Sequence, residues 1–147
     1  MSSDFATSLR VSASGLSAQR QRMNTISSNI ANINTTKTPE GGPYRRKDVV
    51  FESMPDARNF GELVTSSPNA DIQRVQVTDI YSDDKAIDLR YEPDHPDANP
   101  EGYVAYPKIN LMEEMANMIQ ATRSYEANVS AIQASKEMAL GALEIGR

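Results

Sequence analysis

Cysteine and tryptophan are absent, and histidine occurs once, at His95. Without cysteine there can be no disulfide and no zinc–thiolate site. One imidazole cannot build a histidine-rich metal centre, and it reduces the familiar nucleophile pairs to a serine with that single base. Aromatic residues make up 6% of the chain and hydrophobic residues 39%, so the core is modest. No apolar run approaches the roughly 18 residues of a membrane span. The first residues lack the basic, apolar and small-residue order of a cleavable signal peptide.

The net charge of −5 is unevenly spread: residues 1–37 carry four basic groups against one acidic, residues 38–109 eight against fourteen, and residues 110–147 three against five. A nucleic-acid binder needs a basic face with stacking aromatics, and neither is visible. Glu40, Gly41, Gly42 and Pro43 do not form a phosphate loop, because no lysine and hydroxyl residue follow into a helix. Asp94, Asp97, Asn99 and Gly102 fail as a calcium loop, since Pro96 stands where an oxygen ligand is needed and no terminal glutamate follows. These absences assign no catalytic, cofactor-binding or metal-binding residue. They point to a protein that is not an enzyme, with no cofactor, no nucleic acid and no small-molecule substrate.

What is present is heptad spacing at both ends. From Asn110 onward, Leu111, Met118, Tyr125, Ile132 and Ala139 fall on one line, and Met115, Thr122, Val129, Lys136 and Leu143 on a second. Asn110 followed by Glu113 is a helix-start pattern, and no proline occurs after Pro107. From Asp4 to about Ile33, Leu9, Leu16, Met23 and Ile30 are spaced by sevens, with Phe5, Ser12, Gln19, Ile26 and Ile33 on the companion line. Small uncharged polar side chains replace the charged pairs of a free surface helix, and Gly15 costs about 1 kcal/mol of helix propensity relative to alanine. Both helices need a partner, in the same chain or in another.

The first helix is expected to end near Asn32 and Asn34, which tolerate a left-handed exit. Pro39 closes it, and Glu40, Gly41, Gly42 and Pro43 read as a turn. Tyr44 to Phe51 is expected to form a short strand, with Arg45, Arg46 and Lys47 exposed, and residues 54–69 a loop. Val75, Val77 and Tyr81 alternate with polar residues in Ile72 to Tyr81, with Asp79 the exception on the apolar side. Ile87, Leu89 and Tyr91 alternate likewise, so these two runs predict a β-hairpin that adds to the Tyr44 to Phe51 strand or packs on a helix. Four prolines predict that Glu92 to Pro107 is a stiff connector without regular structure.

In combination, Ser14 to Gln19 (SGLSAQ), Ser28 to Thr35 (SNIANINT), Thr38 to Arg46 (TPEGGPYRR), the later His95 to Ala98 and Gly102 to Val104, and Glu113 to Met115 with Arg123 to Asn128 resemble the axial proteins of the bacterial flagellum. The likeness is greatest to those of the proximal rod. Ala31, Asn32, Asn34, Thr35, Gly41, Gly42, Pro43 and Tyr44 carry much of it.

The resemblance implies an α+β fold in which residues 1–37 and 110–147 pair as an antiparallel coiled-coil hairpin and residues 38–109 form a small β-rich middle region. It implies a structural, torque-transmitting subunit of a self-assembling rod in the periplasm, exported by the flagellar type III system. The expected partners are other copies, neighbouring rod subunits, the rod-to-ring junction protein and the export apparatus. The expected assembly interface comprises Leu9, Leu16, Met23, Ile26, Ile30, Ile33, Leu111, Met115, Met118, Tyr125, Val129, Ile132 and Leu143. An export adaptor, a chaperone or another coiled-coil binding module of the same secretion system is the alternative.

Overall fold

The computed structural model describes residues 2–55, 73–83 and 86–145. Helix α1 spans Ser2–Ala31 and α2 spans Leu111–Ile145. Between them lie β1 (Lys47–Pro55), β2 (Gln73–Ser82), β3 (Ile87–Tyr91) and β4 (Tyr103–Pro107). The helices pack on each other, and α1 also packs on the β1–β2 ribbon. Together they form the expected α+β hairpin with a small β-rich middle.

Strand pairing meets the sequence-based expectation in part: β2 adds to the first strand and the pair packs on α1, but β2 forms no hairpin with β3. β2 pairs with β1 in antiparallel fashion, and β3 pairs with β4 rather than with β2. The Pro-rich connector therefore contributes a strand, because its four prolines stop short of Tyr103 or fall at Pro107, where the ladder ends. β1 also runs past Phe51 to Pro55, into the expected loop, and residues 56–69 of that loop lie outside the described residues.

The anomaly at Asp79 has a structural cause. Val50 pairs with Asp79 and Phe51 with Val77, so Thr78 is an extra residue in β2 and forms a bulge. Cross-strand partners share a face. The bulge reverses the alternation, moving Asp79 off the side held by Phe51 and Val77 and bringing Ile80 onto it opposite Val49.

The exit of α1 is built by hydrogen bonds rather than by a left-handed asparagine, since no described residue other than glycine has positive φ. The Asn32 amide Nδ2 donates to the Ser28 carbonyl at 2.8 Å, and the Thr35 hydroxyl donates to Asn32 Oδ1 at 3.2 Å. The turn beyond it needs its two glycines, with φ of 90° at Gly41 and 79° at Gly42. The Thr38 amide donates to the Gly42 carbonyl and closes the loop, and the Tyr44 amide then donates to the Thr35 carbonyl at 3.0 Å.

Candidate functional site

The side chains that lock the helix pair are polar. At the start of α2, Asn110 caps the helix by accepting from the Met112 amide at 3.0 Å. This places Glu113 and Glu114 in the first turn, where the positive helix end favours carboxylates. Glu114 is 1% exposed, yet both its oxygens are bound: Oε1 accepts from Arg46 Nε at 2.7 Å and Oε2 from Asn29 Nδ2 at 3.2 Å.

Asn29, also 1% exposed, spends its whole bonding capacity here. Its Nδ2 donates to Glu114 and to the Lys47 carbonyl, while its Oδ1 accepts from the Lys47 amide at 3.0 Å and the Tyr44 hydroxyl at 3.1 Å. Four segments meet at one node: α1, the loop holding Tyr44, the start of β1, and α2.

Arg46 is consequently a half-buried ion-pair partner and not an exposed strand residue. Partial burial alone would lower its pKa, but the hydrogen bond and charge of Glu114, with Asp48 and Glu113 further out, hold it above its ordinary value. The guanidinium stays charged, as the buried carboxylate requires.

Below this node the helices approach closely on small and polar residues. Along α2, Glu114, Ala121 and Ser135 are buried at seven-residue multiples. Asn128 continues that line half-buried, and Met118, Tyr125, Ile132 and Ala139 flank it half-buried. On α1, Ala18, Thr25 and Ile26 are buried. A Cβ built on Gly15 would meet the Asn128 side chain at 3.0 Å, which is the packing reason for a glycine inside α1. The Thr122 hydroxyl lies 3.6 Å from Met23 Sδ.

Of the residues expected at an assembly interface, Ile26 is buried, and Leu9, Leu16, Met23, Ile30, Ile33, Met118, Tyr125, Val129 and Ile132 are half-buried. Leu111, Met115 and Leu143 are exposed, at 42%, 40% and 71%. The family-motif residues divide similarly: Tyr44 is buried, Asn32, Thr35 and Pro43 are half-buried, and Ala31, Asn34, Gly41 and Gly42 are exposed. The structure brings together Asn29, Arg46 and Glu114, none of which the heptad reading selected. Their trace in the sequence was a polar residue on an inward helical line, which a search for apolar repeats passes over.

A second feature is a heptad seam on α2 turned away from α1. Met112, Ile119, Glu126, Gln133 and Leu140 are all exposed at seven-residue steps, and Met115, Thr122, Val129, Lys136 and Leu143 lie beside them. Its ends are apolar, with Met112 at 70%, Ile119 at 56% and Leu140 at 52% exposure. Among the described elements, α1 alone packs against α2, so the line from Met112 to Leu140 is left uncovered by the described residues.

Elsewhere among the described residues, polar side chains such as those of His95, Asp97 and Asn99 close loops. His95 Nδ1 accepts from the Asp97 amide at 3.1 Å, and an Asp97 carboxylate oxygen accepts from the Thr36 hydroxyl at 2.8 Å, tying the β3–β4 loop to the exit of α1. Asn99 Oδ1 accepts from the Glu101 and Tyr103 amides, so it closes its own loop. Among the described residues, no three His, Asp or Glu side chains converge as a metal site.

Comparison with known proteins agrees with this geometry. Residues 9–37 match the flagella basal body rod protein family, and residues 101–145 match the family described as flagellar basal body rod FlgEFG protein C-terminal. The flagellar basal-body rod protein FlgC of Bacillus subtilis (strain 168) is 46% identical over 95% of this chain and 97% of its own length. FlgC of Borreliella burgdorferi is 43% identical over 95% of each chain, and that of Salmonella typhimurium is 34% identical over 93% of this chain and 94% of its own.

Proposed function

Because the chain belongs to the FlgC family of flagellar basal-body rod proteins, we infer that it is a structural subunit of the basal-body rod that assembles through helix packing and transmits torque. The observation that carries the mechanism is the division of α2 into two seams. The inward seam is closed by α1 and by the Asn29–Glu114–Arg46 node. The outward seam presents Met112, Ile119 and Leu140 to whatever lies next. A helix hairpin whose second heptad is complete only in contact with a neighbour is suited to a tube of subunits.

On this reading the role is architectural and not catalytic. The partners are further copies of the chain, adjacent rod subunits and the rod-to-ring junction protein. The location is the basal body, with the rod in the periplasm, reached through the flagellar type III export apparatus. Among the described residues no helix is long and apolar enough to cross a membrane. Purified basal bodies are expected to contain the chain, and a strain lacking it to stop swimming. An export adaptor or chaperone would instead be left in the soluble fraction and be missing from basal bodies, and that result would overturn the assignment.

A further inference from the structure

We propose that the outward seam of α2 is covered by the outward face of α1 from a second copy, lying antiparallel and nearly level, with Arg20 of one copy paired to Glu126 of the next. The inference rests on the rod reading and specifies which surfaces meet.

The levels follow from contacts inside the hairpin. Asn29 meets Glu114, Met23 meets Thr122, and Gly15 meets Asn128. At about 1.5 Å per residue, these pairs put Glu126 within roughly 5 Å of the level of Arg20. Both side chains are exposed and long enough to close that gap.

The outward line of α1 reads Ala6, Ala13, Arg20 and Ser27, again at seven-residue steps and again exposed. By the same levels, the large side chains of α2 fall opposite small ones. Ile119 lies near Ser27, and Leu140 lies near Ala6. Charge follows the same division: α1 as a whole carries three arginines against one aspartate, and α2, with Glu114 set aside as paired to Arg46, carries four glutamates against two basic residues. A bulky line whose charged residue is Glu126 therefore faces a flat line whose charged residue is Arg20. The two surfaces differ, so the contact is heterologous and does not close on itself after two copies. Repeated, it builds an open-ended or ring-like array.

The native chain has no cysteine, so introduced thiols are the only ones present. In cells whose sole copy carries Arg20→Cys and Glu126→Cys, purified basal bodies treated with a short thiol crosslinker are expected to give a ladder of dimers, trimers and higher species. Arg20→Cys with Asp88→Cys, which places the second thiol on β3, is expected to give none. Recovery of the first variant from basal bodies as uncrosslinked monomer overturns the contact. If the cysteine variant does not assemble, charge exchange decides: Arg20→Glu and Glu126→Arg each lose swarming, and the two together regain it. Failure of the double exchange to regain what either single change loses also overturns the proposal. Absence of the unmodified chain from basal bodies would instead refute the rod assignment, so the two failures are distinguishable.

Discussion

Replacing Met118 and Tyr125 together by aspartate is expected to separate the helices and abolish swimming. Both residues flank the buried line of α2 half-buried, one heptad apart. A carboxylate there gains no partner comparable to the one Arg46 gives Glu114, so each substitution loses apolar burial and strands a charge. The cost is about 2–4 kcal/mol for each site. Together they consume much of the 5–15 kcal/mol that stabilises an ordinary domain. Loss of helical signal in far-ultraviolet circular dichroism and a non-swimming strain are the expected readings. A strain that still swims with both aspartates would show that this seam is not what holds the rod subunit together.

Removing Glu114 is expected to have the next largest effect. Glu114→Ala leaves Arg46 without its 2.7 Å partner and takes from Asn29 one of the two acceptors of its amide. Arg46 is only partly buried, with 28% of its side chain exposed, so water recovers some of the loss. The net cost is about 3 kcal/mol. In a chain of this size that corresponds to a fall in melting temperature of about 6–12 °C. Asn29→Ala acts on the same node, and the double substitution should cost clearly less than the two single costs combined. Strict additivity in thermal or urea unfolding would show that the two residues act independently.

The long elements were legible because they repeat. Leu9, Leu16, Met23 and Ile30, like Met118, Tyr125 and Ile132, mark helices by spacing alone, and the structure turns these residues at least partly inward. What spacing did not reveal is the rotation of α2. Its most buried line is Glu114, Ala121, Asn128 and Ser135, three of them polar, so scoring by hydrophobicity places the seam one position away. The helices meet there because small side chains permit close approach and because Asn29 and Arg46 satisfy the buried charge of Glu114. Neither condition is visible along a single line of sequence.

The expected hairpin of β2 with β3 fails for a different reason. Adjacent runs such as Ile72 to Tyr81 and Ala86 to Tyr91 suggest a hairpin on closeness in sequence alone. The observed partners, β1 for β2 and β4 for β3, leave Leu89 and Tyr91 at 64% and 65% exposure instead of in a core. Asp79 did carry information: a charged residue breaking an alternation was the trace of the bulge at Thr78.

Burial of the outward seam of α2 when the subunit takes its place in the rod is read directly by methionine oxidation. Met112 lies on that seam and is 70% exposed in the single chain, while Met138 is 69% exposed on another side of the same helix. Peroxide should oxidise both in the unassembled protein, since susceptibility follows exposure. In purified basal bodies, oxidation of Met112 measured by mass spectrometry should fall several-fold. Equal oxidation of Met112 before and after assembly would show that the outward seam of α2 stays open in the rod.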